Sequence, residues 1–367
     1  MYILLIALLL AVSVGMLSRA YRRSWSKRLN VSLRLADDGV FEGEQGEVTE
    51  VISNNKLTPV FWGYLRFRVP GPLCFDGADA GHDYYREDRV SVLAYEEISR
   101  TIRFTALRRG CYRLSGLQFT AGDLLFHYKM MRDFPSAPEI YVYPRVAEIG
   151  RFRIDYETII GETAARRSLI EDPFSFRGIR DYSPFDSMKA VNWKATARTG
   201  NLKVNQYSTT QSLQIMLLVD LDGYNQMDGR QIKEDTIRTA ACLARRLTLS
   251  GIASGFATNA ADTLTGESIR TECGSGRGHF LHLMREMAKI DAEKLLAPFD
   301  RILAELPRGS RAKTQYILIS YYYGEDLVRR LTRLQAEGLS VQWVFLNDKS
   351  RKIDFVRRPG MYVCDEI

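Results

Sequence analysis

Two carboxylates two residues apart, Asp220 and Asp222, close a run at 213–219 that is apolar except for Gln214. A run of that length and composition reads as a buried strand of a parallel sheet. Acids at the carboxyl end of such a strand stand where open α/β sheets place their ligands. Two chemistries are open to the pair. Hard carboxylate oxygens could hold Mg²⁺, or Asp220 could attack phosphorus while Asp222 serves as acid and base. The plainer alternative is that both cap a following helix or pair with nearby bases. A second concentration of chemically capable side chains precedes the run: Arg180, Tyr182, Asp186, Trp193, Lys194 and Arg198. No other stretch is as dense. Asp76, Asp79, His82 and Asp83 share an acidic, Gly-rich segment at 71–88 that reads as a solvated hairpin loop with no fixed ligand geometry. His279 and His282, at i and i+3 on a predicted helix, read as surface or packing residues. The five cysteines are scattered and odd in number, with no C-x-x-C pair, which suits reduced thiols.

The elements that must position these residues follow from periodicity. Residues 186–198 are predicted to form a helix capped near Asp186, with Val191, Lys194 and Arg198 at near-helical spacings. Trp193 is expected to bury its ring against the sheet, and Arg180 to pair with Asp186. The cluster is then either an internal polar clasp or a recognition surface with Arg and Trp anchors; the residue types alone favour the clasp. Upstream, 29–146 shows short alternating segments, among them 31–35, 61–69, 101–107, 112–120, 124–131 and 139–143, separated by turn residues. That spacing predicts a β-sandwich of immunoglobulin-like type. Downstream, 147–367 alternates predicted strands (213–219, 252–258, 269–273, 315–320, 339–346) with predicted helices (157–168, 231–249, 279–290, 292–306, 326–337). This is the pattern of an α/β domain with an open, mostly parallel sheet.

The N-terminus and the charge distribution bear on location. The apolar stretch at 1–17 would extend roughly 26 Å as a helix, close to the hydrocarbon thickness of a bilayer. Residues 1–18 are therefore read as a transmembrane anchor and 19–28 as a basic juxtamembrane segment. Arg19, Arg22, Arg23, Lys27 and Arg28 all lie C-terminal to the span, which places the large soluble part in the cytoplasm. The competing reading is a cleaved signal peptide, which would move the protein outside the cytoplasm; it lacks a basic leading region. Removing those five bases from 51 leaves 46 against 44 acids, so the body is nearly neutral and shows no phosphate-tracking surface for nucleic acid.

The dense stretch resembles a family signature. Phe176, Gly178, Arg180, Tyr182, Pro184 and Asp186, followed by Val191, Trp193, Lys194, Ala197, Arg198, Gly200 and Leu202, are similar to the pattern of the domain-of-unknown-function family 58 (DUF 58). Phe185 departs from it, standing where the family has glycine. Phe41-Glu-Gly-Glu44, Arg109-Gly-Cys-Tyr112 and Val142-Tyr-Pro144 resemble the family's N-terminal β-domain. The resemblance implies a von Willebrand A-like (Rossmann-like) α/β domain, no established enzymatic activity, and association with a MoxR-type AAA+ ATPase in protein complex assembly or envelope maintenance. It thus implies a membrane-anchored, non-catalytic adaptor acting on an unspecified client protein. A von Willebrand A metal site wants D-x-S-x-S; Asp222 and Tyr224 replace its two hydroxyl residues, which leaves a degenerate Mg²⁺ site at best. Asp220-Leu-Asp222-Gly also resembles the D-x-D-x-T opening of haloacid-dehalogenase phosphotransferases. There Tyr224 replaces the threonine, and Tyr321-Tyr-Tyr-Gly324 follows the strand at 315–320 instead of an aspartate pair. A Mg²⁺-dependent phosphohydrolase using Asp220 and Asp222 is the alternative function.

Overall fold

A computed structural model of the chain describes residues 2–75, 81–123, 127–146, 154–168, 176–183, 188–207, 213–222, 229–306, 314–348 and 355–365. The chain divides into two compact units, Met1–Arg145 with Met287–Lys289, and Val146–Glu286 with Ile290–Ile367.

The first unit begins with helix α1 (Tyr2–Ser24). Its Leu- and Ala-rich start favours helix strongly, and the helix runs on through Arg19, Arg22 and Arg23, so most of the expected juxtamembrane segment is helical too. Among the described residues, eleven strands follow: β1 (Leu29–Leu35), β2 (Gly39–Phe41), β3 (Gln45–Asn54), β4 (Val60–Val69), β5 (Leu73–Phe75), β6 (Tyr84–Val92), β7 (Glu97–Ala106), β8 (Gly110–Arg113), β9 (Ser115–Gly122), β10 (Lys129–Asp133) and β11 (Glu139–Tyr143). They form two four-stranded antiparallel sheets, β1-β3-β7-β5 and β10-β9-β4-β6, and a three-stranded sheet β2-β11-β8. The period-two alternation of β4 and β9 sends Leu65, Phe67, Leu117 and Phe119 inward. They share one core with Val31, Ile52, Phe75 and Phe104 of the opposing sheet. The expected strand at 112–120 is broken at buried Leu114, which lets β8 and β9 join different sheets. The expected loop at 71–88 is partly strand, since β5 and the start of β6 lie within it.

In the second unit, α2 (Tyr156–Ser168), β12 (Phe176–Asp181), α3 (Trp193–Thr199) and β13 (Lys203–Tyr207) precede the main sheet. That sheet is built from β14 (Gln214–Val219), α4 (Gly229–Leu249), β15 (Ala253–Asp262), β16 (Ser268–Gly274), α5 (Arg277–Ala288), β17 (Ile290–Leu295), α6 (Phe299–Ala304), β18 (Thr314–Ser320), α7 (Glu325–Ala336), β19 (Val341–Asn347) and β20 (Met361–Asp365). The strand order is β16-β15-β14-β18-β19-β20, with β17 also pairing β15. Strands β14, β15, β18, β19 and β20 are parallel, while β16 and β17 run against β15. The chain therefore leaves β14 toward β15 and leaves β18 toward β19, on opposite sides. A crevice opens at the carboxyl ends of such neighbours. Helix α4 buries Ile232, Ile237, Ala240, Ala241, Ala244 and Leu247, the face its periodicity predicts. The helix expected at 292–306 is instead split. Residues Ile290 and Asp291 pair with the far end of β15, and Pro298 then opens the short α6.

Candidate functional site

The signature stretch folds as a hairpin enclosing a short helix. Strands β12 and β13 pair antiparallel, with Ile179 opposite Asn205, Arg180 opposite Val204 and Asp181 opposite Lys203. A 3-10 turn, Met188–Ala190, leads to α3. The helix starts later than expected and has a different cap. Asn192 Oδ1 accepts from Ala195 N at 2.9 Å, and Asn192 Nδ2 donates to Asn205 Oδ1 at 2.7 Å. Asn is among the best N-caps because its side chain satisfies a helix-start N–H that has no partner in the helix. Gly200 ends the helix at φ 73°, a left-handed conformation that glycine adopts without strain. Val191 bridges Val204, and both are buried. Lys203 N donates to Thr196 Oγ1 at 3.0 Å, and Lys203 Nζ pairs with Asp181 at 2.6 Å.

The contacts that hold this stretch together are internal to it, and residues other than the predicted ones make most of them. Asn192, Asn205, Val191 and Val204 hold the hairpin to its helix. Helix α3 buries none of its residues, and the Trp193 ring is 62% exposed, contrary to the expectation that it would pack against the sheet. Ile179, Met188 and Leu202 are also exposed large apolar residues of the same hairpin. Lys194 and Arg198 are exposed, and neither has an ion-pair partner among the described residues. Arg180, also exposed, donates from Nη1 to the Asp181 carbonyl at 3.1 Å. Tyr182 is half-buried, and its N–H donates to Leu202 O at 3.0 Å. Asp186, and with it the expected Arg180–Asp186 pair, lies outside the described residues, as do Pro184 and Phe185. Asn192 was missed in the sequence. The available signal was an Asn directly before the Trp193-Lys194 helix start.

The second candidate, the carboxylate pair, does sit at the carboxyl end of β14, beside β18. Asp220 is 1% exposed. Its Oδ1 accepts from Asp222 N at 2.9 Å, and the Ser320 hydroxyl, at the end of β18, donates to its Oδ2 at 3.0 Å. Burial pushes the Asp220 carboxyl up to about 7, with the negative charges of Asp222 and Asp300 adding to it. The hydrogen bonds from Asp222 N and Ser320 act in the other direction without cancelling it. The next residue is fixed as well: Leu221 N donates to Asn259 Oδ1 at 3.1 Å, and Tyr321 Oη donates to Leu221 O at 2.8 Å. Asp222 is half-buried, and its Oδ2 accepts from Phe299 N at 3.4 Å.

These residues fit a divalent cation poorly. Both Asp220 oxygens already face protein donors, Asp222 N and the Ser320 hydroxyl. Among the described residues no group of three or more His, Cys, Asp or Glu stands ready to ligate a metal. Tyr224 lies outside the described residues. At the 71–88 segment, Asp83 pairs with Arg68 at 2.7 Å and accepts from Gly71 N at 3.0 Å, which holds its carboxyl below its ordinary value. His82 is exposed, while Asp76 and Asp79 fall outside the described residues. His279 Nε2 donates to Ser254 O at 2.7 Å, and its ring lies 6.3 Å from that of His282.

The class defined by these features is a mixed α/β protein: an apolar N-terminal helix, an antiparallel β-sandwich unit, and a mostly parallel sheet preceded by an exposed hairpin and helix. Residues 178–351 match the profile of the family described as protein of unknown function DUF58. The uncharacterized protein YeaD of Bacillus subtilis (strain 168) is 21% identical over 279 residues, 72% of this chain. The match spans 66% of that relative, just under two thirds of its length. Among solved structures, a CARDB domain from Pyrococcus furiosus in complex with di-metal ions aligns at 18% identity and a TM-score of 0.21, covering 31% of this chain and 91% of that one. A non-cellulosomal cohesin from the hyperthermophilic archaeon Archaeoglobus fulgidus aligns at 11% identity and a TM-score of 0.22, with the same coverages. At such scores neither likeness bears on fold or function.

Proposed function

We propose that this chain is a non-catalytic, membrane-anchored adaptor that offers the exposed α3 hairpin to a MoxR-type AAA+ ATPase, in protein complex assembly or envelope maintenance. The observation that carries the proposal is the exposure of Trp193. A large ring left in water beside Lys194 and Arg198 costs solvation and is of the type that anchors interfaces. On this reading the second unit is von Willebrand A-like (Rossmann-like). What supports that is its strand order, which, counted along the chain without β17, is 3-2-1-4-5-6 with the third strand reversed. The first unit is an immunoglobulin-like spacer, and α1 is the span that holds both at the cytoplasmic face. The helix has the length and apolarity to cross a bilayer, and its cations lie on the C-terminal side.

A phosphohydrolase has less in its favour. A nucleophilic Asp220 would need an open line to phosphorus and an ionised carboxylate, whereas burial works against both here. Co-expression of the full chain with a MoxR-type ATPase tests the adaptor proposal. The two are expected to co-purify, and Trp193→Ala is expected to weaken capture by roughly tenfold or more, the size of an interface anchor. Capture unaffected by that substitution would contradict the assignment of the surface.

A further inference from the structure

The far end of α1 is fastened to the β-sandwich. Ser18 Oγ donates to Asp123 Oδ2 at 3.0 Å, and Tyr21 Oη donates to Pro59 O at 3.2 Å. Tyr21 and Trp25 are buried in the sandwich core, where Trp25 stacks on Phe119 with ring centroids 6.4 Å apart. These contacts leave the helix no free joint. Wherever α1 leaves a bilayer, the sheet end that holds Pro59 and Asp123 must lie at headgroup depth.

That end is unusual for a surface in water. Strand β4 starts one residue after Pro59, β9 ends at Gly122, and Lys129 pairs with Gly122 across the β9–β10 ladder. Phe61, Trp62 and Tyr128 are therefore close in the chain to the fastened positions, and all three are exposed, Trp62 at 54%. The Arg22 guanidinium lies 4.3 Å from the centre of the Tyr128 ring. Trp62, Tyr128, Lys129 and Met131 line an open depression of about 790 Å³. Rings with an apolar body and a polar tip, set among cations, are what the membrane–water boundary favours, and basic residues there attract anionic lipid.

We infer that this end of the β-sandwich lies in the headgroup layer of an anionic bilayer, with Trp62 and Tyr128 as interfacial rings and Arg22 and Lys129 facing lipid phosphates. The inference rests on reading α1 as a membrane span.

The test uses the full chain reconstituted into vesicles of phosphatidylcholine and phosphatidylglycerol that carry a headgroup nitroxide lipid. Tryptophan fluorescence is compared between wild type and Trp62→Phe. Trp25, Trp193 and Trp343 are common to both proteins, so the difference reports Trp62 alone, and the substitution is expected to lower the quenched fraction roughly twofold, as befits a ring at the interface. Quenching that is identical in the two proteins, in vesicles with which the chain co-floats, would overturn the inference and leave the span standing. A chain that fails to co-float would overturn both. Equal quenching of Trp62 in phosphatidylcholine alone would overturn the anionic preference.

Discussion

Asp220 and Glu50 are both acids held by burial at about 7, and each gives its unit a pH dependence. For Asp220 the desolvation is nearly complete. For Glu50 on β3, burial is the larger cause and the charge of Asp88 the next, while Arg100 and Arg86 pull the other way. In the folded chain each carboxyl keeps its proton up to about pH 7; unfolded, it releases that proton near its ordinary value. Between those limits the folded state binds more protons. The stability each site contributes is therefore complete below the unfolded value and is lost as pH rises through the folded one. Asp220→Asn and Glu50→Gln cannot titrate. In thermal melts from about pH 4 to 7, each variant is expected to lose less stability with rising pH than wild type does. Parallel curves would contradict the assignment. Lys194 behaves differently because it is exposed. Lys194→Ala is expected to change stability by no more than about 0.5 kcal/mol, as exposed substitutions do. A fall of several degrees in Tm would restore Lys194 to an internal clasp.

The short helix α3 owes its place to its ends and to the hairpin, with no buried face to hold it. Asn192→Ala removes both the cap to Ala195 and the bond to Asn205, and is expected to cost about 1 kcal/mol or more in urea denaturation, with faster amide exchange across Trp193–Thr199. Unchanged exchange would contradict the cap. This element also shows where the sequence was legible. The long amphipathic α4 and the largely apolar strands β14, β18 and β19 stand out in the sequence, because one buried face or two write themselves into every turn. The helix expected at 186–198 is met only from Trp193 onward, for the converse reason. Val191, Lys194 and Arg198 mimic helical spacing, yet only the Val191 side chain is buried, and it pairs with a strand. The helix expected at 292–306 failed because sheet pairing to β15 overrides local preference in Ile290–Leu295. Strand β20, at the sheet edge, is only five residues long and gave little pattern to read.

At the scale of the molecule, charge and hydropathy along the chain are unevenly spread: five bases crowd the last turns of one apolar helix and the residues just after it, and the remainder is nearly balanced. The strand order placed Asp220 at the switch between β14 and β18, as a run ending in acids suggests. What the sequence could not convey is accessibility. Asp220, for which metal, nucleophilic and capping roles are all open in the sequence, is buried, whereas Trp193, expected to pack against the sheet, faces water. The proposed adaptor role depends on the second of these. The most direct test replaces Trp193 with a photo-crosslinking amino acid in the full chain, co-expressed with a MoxR-type ATPase. The adaptor account expects an adduct with the ATPase from position 193 and none from position 249, which is exposed at the end of α4. Adducts from 249 alone, or none from 193 while the two proteins co-purify, would contradict it.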